Sequence, residues 1–259
     1  MSLIEKLRLD GRRAVITGSS RGLGFEMAQA LGQAGAELVI SSRDAKQLST
    51  AQRKLQPLAP RVDAVEADLA TPAGTEAFCE HILSELGPID ILINNVGGRR
   101  INFPTEEMPL EQWQQILDLN LTQAFLCTKR IGGSMLSRGW GRIINVASIS
   151  GFVPGKQMRG RSYETSKAAL SMFTKAVAAD WAPHGVTVNA IAPGTFLTDA
   201  NRRWFSERPE LKTEIEETIP MGRLGDPSEI GGLALYLASE ASSYMTGSVL
   251  VIDGGRLLW

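Results

Sequence analysis

Histidine and cysteine are scarce in this chain, with two of each among 259 residues. His81, His184, Cys79 and Cys127 give no cluster with metal-ligand spacing, so neither a structural nor a catalytic zinc is expected. Both cysteines sit in apolar helical stretches, too few for a disulfide framework, and read as packed thiols in a reducing compartment. An excess of one charge sign is also missing: 27 Lys+Arg face 28 Asp+Glu, which excludes the basic surplus that phosphate-backbone binding needs. No run approaches the roughly 18 apolar residues of a membrane span, and the segment from Met1 to Leu7 lacks the apolar centre of a signal peptide. A cytoplasmic protein without nucleic-acid or membrane partners is the expectation.

What is present is an ordinary globular composition, 43% hydrophobic and 21% charged, in a length that one α/β domain can organise around a single core. Short β-branched runs alternate with longer helical patterns. The strand candidates are Arg13 to Thr17, Glu37 to Ser41, Val62 to Glu66, Ile89 to Ile93, Arg142 to Val146, Thr187 to Ile191 and Val249 to Ile252. Most are apolar on both faces, as buried parallel strands are. Between them, Leu23 to Leu31, Ala45 to Leu55, Thr75 to Leu86, Leu110 to Met135, Ser162 to Ala182 and Pro227 to Ala238 have helical length and periodicity. The pattern predicts one Rossmann-type, doubly wound, parallel seven-stranded sheet with helices on both faces. A substrate lid is expected at about 196–220, where Asn201 to Pro220 is rich in charge, poor in apolar pattern and reads as irregular.

Such a sheet binds its ligand beyond the carboxyl ends of its strands, at the switch point of strand order. The first such loop is Thr17-Gly18-Ser19-Ser20-Arg21-Gly22-Leu23-Gly24, followed by an amphipathic helix. Glycines there let backbone approach a pyrophosphate at the positive end of a helix. Asp68 and Leu69 follow the third strand candidate, Asn94-Asn95-Val96-Gly97 the fourth, Ser148 the fifth and Pro193-Gly194-Thr195 the sixth; Asn120 and Tyr163-x-x-x-Lys167 lie in helical patterns. In this joint order the sequence resembles the short-chain dehydrogenase/reductase family from about Leu9 to Gly255. Val96 stands where the family usually has alanine.

The resemblance implies a nicotinamide cofactor held by Gly18, Ser20, Arg21, Gly22, Leu23, Gly24, Asp68, Leu69, Asn95, Gly97, Pro193, Gly194 and Thr195, with Tyr163 and Lys167 at its nicotinamide end. Ser42 closes the second strand where a carboxylate would prefer a free ribose hydroxyl, and Arg43 and Arg21 could face a 2'-phosphate; NADP is therefore expected, with NAD as second choice.

Tyr163 and Lys167, four apart, project from one helix face. A phenol with an ordinary pKa of about 10 is a poor base at neutral pH, and a nearby ammonium is expected to lower it. Tyr163 then takes a proton from an alcohol in oxidation and returns it in reduction. Ser148 is read as the hydrogen-bond donor to the substrate oxygen. Ser150 competes with it: Ser150 has the family's usual spacing to the tyrosine, whereas Ser148 requires a two-residue insertion in the following loop. By resemblance Asn120 orders a water relay behind the lysine; a buried mid-helix asparagine can equally be structural.

Arg99, Arg100, Lys156, Arg159, Arg161, Arg202 and Arg203 occupy three loops at the same sheet edge, and the expectation is that they focus an anionic substrate there, with Ser148 and Ser150 also touching it. Through Arg99-Arg100, Asp180-Trp181 with His184-Gly185, and Pro220-x-Gly222-Arg223-x-Gly225 the sequence is similar to the family's sugar-acid branch, the gluconate 5-dehydrogenase-like one, so the expected reaction interconverts a secondary alcohol and a ketone on an anionic sugar or sugar acid, carboxylated, sulfonated or phosphorylated. A 3-oxoacyl-thioester reductase, a steroid or aromatic ring-hydroxyl dehydrogenase and a non-catalytic nucleotide-binding regulator stay open. The resemblance also implies a homotetramer.

Overall fold

The computed structural model describes residues 2–99, 103–155 and 161–258. Its seven strands are β1 (Arg13–Ile16), β2 (Glu37–Ser42), β3 (Val62–Glu66), β4 (Ile91–Asn94), β5 (Gly141–Val146), β6 (Val186–Pro193) and β7 (Val249–Ile252). They form one sheet in the order β3-β2-β1-β4-β5-β6-β7, parallel throughout. Order reverses between β1 and β4, so the loops after those two strands flank the switch point.

Both faces of the sheet are covered, which explains the continuous apolar runs. Ala14, Ile16, Ile91, Ile93 and Ile144 enter one core cluster, while the intervening Val15, Leu92 and Ile143 enter the other. On the first face lie α1 (Gly22–Gln33), α2 (Ala45–Leu55) and, further along the chain, a helix over Glu229–Ala238. The second face is covered by α3 (Pro72–His81), by a long rod and by α5 (Ser162–Trp181). That rod starts as α4 (Leu110–Leu117) and runs through π-helical turns at Asp118–Thr122 and Thr128–Gly132, with Gln123–Cys127 between them, to Gly133–Leu136. Its first π turn is closed by the Gln123 N–H on the Asp118 carbonyl.

The lid segment departs from the expected irregular loop. It forms α6 (Asp199–Glu207) and α7 (Pro209–Glu217), ahead of α8 (Glu229–Ala238). Local signals explain this: the Thr198 hydroxyl caps the Asn201 N–H, and Pro209 opens the next helix without losing a needed donor. Phe205, Ile219 and Leu224 bury themselves in a small separate cluster, with Leu197, Trp204 and Ile215 packed against it. Cys79 and Cys127 are free, buried and 3.9 Å apart at sulfur; the neighbouring thiol and burial push Cys127 well above the ordinary thiol range. No helix among the described residues is long and apolar enough to cross a membrane, and no group of three His, Cys, Asp or Glu there could hold a metal ion.

Candidate active site

The loop after β1 is built for close approach. Gly18 and Gly22 have φ of +64° and +58°, a region that favours glycine. A Cβ on Gly24 would lie 2.5 Å from the Asn95 side-chain nitrogen and 2.6 Å from the Gly18 carbonyl oxygen. Asn95 clamps this loop: its amide donates to the Thr17 and Gly18 carbonyls at 2.9 and 3.0 Å. Ser19 ties the other side to β2, its N–H donating to the Ser41 carbonyl at 3.0 Å. Arg21 stands at the N-cap of α1 without a side-chain hydrogen bond to the first turn, so those N–H groups remain for an anionic ligand. Leu23 packs its side chain toward the core.

Beyond β2, the Ser20 hydroxyl donates to Ser42 Oγ at 3.1 Å. Arg43 is exposed and makes no ion pair among the described residues, whereas Arg21 is close enough to Asp44 to help hold that carboxyl below its usual range, after the larger effect of the Gln47 N–H. Asp68 is exposed at the end of β3 and accepts the Ala70 N–H; Leu69 beside it is buried. Across the cleft, Pro193 ends β6 and Gly194 approaches Asp253 so closely that a Cβ would lie 2.8 Å from its Cα. Thr195 follows, its carbonyl accepting the Gly225 N–H. These residues surround a glycine-rich cradle with free backbone donors at the switch point, a fit for the pyrophosphate of a dinucleotide.

Four groups converge beside it. Tyr163 and Lys167 lie one turn apart in α5, and the Lys167 Nζ is 6.0 Å from the Tyr163 ring centre. Burial depresses the Lys167 ammonium to about 8, and it donates to the Val146 carbonyl at 2.7 Å. Ser148 is buried just past β5, and its hydroxyl lies near enough to the Tyr163 phenol to favour the phenolate. Gly97 must be small here, since its Cβ would meet Asn120 Oδ1 at 2.8 Å and Lys167 Nζ at 3.0 Å.

With this geometry in place, comparison with known proteins decides the family. A family model described as enoyl-(acyl carrier protein) reductase, adh_short_C2, matches residues 18–256. Galactitol 2-dehydrogenase (L-tagatose-forming) from Cereibacter sphaeroides is 38% identical over 255 residues, covering 97% of each chain. A 3-oxoacyl-[acyl-carrier-protein] reductase from Aquifex aeolicus is 36% identical over 251 residues, 96% of this chain and 99% of the other. The crystal structure of a gluconate 5-dehydrogenase from Burkholderia cenocepacia, in complex with NADP and tartrate, superposes with a TM-score of 0.90 at 34% identity over 100% of both chains. The chain belongs to the short-chain dehydrogenase/reductase family. It is an oxidoreductase acting on CH–OH groups, with the family's single-domain dinucleotide fold.

The surroundings of the expected site residues add detail to the reading of this dehydrogenase. Burial pushes the Tyr163 phenol above its ordinary range; Ser148 and Arg99 pull it back and Glu164 opposes them. Of the two serines, Ser148 is the one whose hydroxyl favours the Tyr163 phenolate, while Ser150 donates its N–H to Ser148 Oγ at 3.1 Å. The Asn120 side chain is engaged with backbone: Nδ2 donates to the Gly98 and Ile116 carbonyls at 2.9 and 3.0 Å, and Oδ1 accepts the Gly98 N–H. That is a structural clamp on the loop after β4.

The basic loops change most. Arg99 forms a two-pronged pair with Glu164, both contacts at 2.9 Å, and Arg161 reaches the same carboxylate at 3.1 Å. Both terminal nitrogens of Arg99 are thereby occupied, whereas Arg161 engages through Nη1 and stays 41% exposed. Arg202 lines a cavity of about 340 Å³ with Ser20, Arg21 and Lys54, on the cofactor-loop side rather than against Tyr163. Arg100, Lys156 and Arg159 lie outside the described residues. Glu164 is the residue that sequence reasoning missed; its one local signal is a carboxylate directly after Tyr163 and three positions past Arg161.

Proposed function

We propose that this chain is an NADP-dependent dehydrogenase that interconverts a secondary alcohol and a ketone on a sugar-type substrate, a polyol or a sugar acid. The observation that carries the chemistry is the half-buried Tyr163, set near Ser148 and the Lys167 side chain at the carboxyl end of β5. The substrate class draws on the galactitol and gluconate dehydrogenases among its relatives. An anionic head group draws on Arg100, Lys156, Arg159 and the exposed side of Arg161, since both terminal nitrogens of Arg99 are occupied by Glu164.

When bound, the nicotinamide supplies the acceptor or donor of a hydride. The protein handles the proton. Tyr163 takes it from the substrate hydroxyl during oxidation and returns it to the ketone oxygen during reduction. Ser148 donates a hydrogen bond to the same oxygen and stabilises the charge that develops there. Lys167, buried and one turn away, holds a positive charge near the phenol and the cofactor ribose. Ser20, Arg21, Gly22 and Gly24 hold the pyrophosphate, and Ser42 with exposed Arg43 receives the adenosine 2'-phosphate. With no carboxylate at the end of β2, a 2'-phosphate meets no like charge at that position.

The test is initial rates of nicotinamide reduction or oxidation with NADP and NAD against galactitol, gluconate, sugar phosphates, sugar sulfonates and an acetoacetyl thioester. Turnover confined to polyols or sugar acids supports the proposal. Preference for the thioester would move the chain to the second reading, a 3-oxoacyl reductase, which the Aquifex aeolicus relative favours.

A further inference from the structure

Among the described residues, the nearest cation to the Tyr163 ring comes from the loop after β4. The Arg99 guanidinium carbon lies 4.7 Å from the ring centre, against 6.0 Å for the Lys167 ammonium. Both terminal nitrogens of Arg99 point the other way, into Glu164, the residue that follows Tyr163 in the first turn of α5. The pair is largely shielded, with side-chain exposures of 18% and 10%. Burial disfavours the Glu164 carboxylate, but hydrogen bonds from Arg99 and the charges of Arg99 and Arg161 outweigh it and hold Glu164 ionised. The phenol therefore faces Ser148 from β5, Lys167 and Glu164 from α5 and Arg99 from the β4 loop, with Arg161 behind Glu164.

A guanidinium over an aromatic face is attracted by the ring's electron density, and more so when the ring carries the negative charge of a phenolate. A substrate-gripping arginine would instead offer its two-pronged edge to the substrate, and here that edge is occupied.

We propose that Arg99, locked in place by Glu164, is a positioning residue that tunes the proton affinity of Tyr163 and does not grip the substrate. The idea rests on Tyr163 as the proton-transfer group of the function proposed above. It also accounts for Glu164, which would otherwise only cancel a useful charge.

Near-ultraviolet phenolate titration tests this without any substrate, taking the difference between each protein and its Tyr163→Phe counterpart. Arg99→Gln is expected to raise the Tyr163 midpoint by about one pH unit, and Glu164→Gln, whose amide oxygen can still accept from Arg99, to lower it by a similar amount. Arg99→Lys keeps the charge and should stay near the unsubstituted protein, which separates charge from simple packing. In turnover, Arg99→Gln should move the acid limb of kcat/KM for galactitol oxidation upward in pH while KM stays nearly unchanged. Midpoints that do not move, or that move in the same direction in Arg99→Gln and Glu164→Gln, overturn the proposal, as does a rise in KM for anionic sugars without a shifted midpoint. An absence of sugar turnover with the titration shifts intact would count against the substrate reading alone.

Discussion

Lys167 is a charge kept where water is nearly excluded, and the protein bears a stability cost for it. Its affinity for a proton falls from the usual 10.5 to about 8 on folding. The folded chain therefore binds fewer protons than the unfolded one between those values, so this group's contribution improves as pH rises through about 8 to 10.5 and is worst below 8. A shift of this size is on the order of 3 kcal/mol, offset in part by the hydrogen bond to the Val146 carbonyl. Lys167→Met is thus expected to stabilise the cofactor-free protein at neutral pH by on the order of 2 kcal/mol, to lose that advantage above pH 10.5, and to lose turnover. Thermal unfolding across pH checks the sign; a Tm that falls at pH 7 would refute it. At the cofactor end, Arg43→Ala should raise KM for NADP by about ten- to a hundredfold, as expected for losing a charged hydrogen bond, and leave NAD within about twofold. Equal losses for both cofactors in steady-state kinetics would remove Arg43 from that role.

At the scale of elements, α6 and α7 stand on a cluster separate from the main core, centred on buried Phe205, Ile219 and Leu224. Phe205→Ala should therefore cost about 3 kcal/mol locally while hardly moving the global Tm. If these helices cover the substrate, the expected result is faster proteolytic cleavage within 199–217 and a raised substrate KM; cleavage at the unsubstituted rate would show that the cluster does not hold them in place. These helices escaped the sequence reading because their exposed faces are densely charged and only a few apolar residues mark the buried side. The strands were legible for the opposite reason: each feeds two cores, as Val15 between Ala14 and Ile16 shows, and a short run apolar on both faces has few other uses. Glycine spacing and the Tyr163/Lys167 pair were legible because both are local. What could not be read was the partner of each cation, since Arg99 meets Glu164 across 65 positions of sequence and only the folded chain brings them together. The choice between Ser148 and Ser150 likewise turned on where the backbone bends after β5, which fixes which hydroxyl faces the phenol.

For the whole molecule, net charge is only -1 and several large apolar side chains remain uncovered on one chain, including Phe125 at 44%, Met172 at 63%, Leu258 at 75% and Tyr244, fully exposed. Phe125 and Met172 lie on the rod after β4 and on α5, the elements that the family resemblance pairs between subunits. The account expects a homotetramer by sedimentation, reduced to smaller species by Met172→Lys with Tm lowered; a monodisperse monomer at micromolar concentration would contradict it. The central claim, however, concerns chemistry. The most direct measurement is nicotinamide absorbance on mixing enzyme, NADP and galactitol or gluconate, run side by side with Tyr163→Phe. Reduction of NADP by the unsubstituted enzyme, with a loss of at least about a hundredfold in the variant and unchanged cofactor affinity, is the predicted result. Comparable rates in the two proteins would contradict the assignment of Tyr163 as the group that moves the proton.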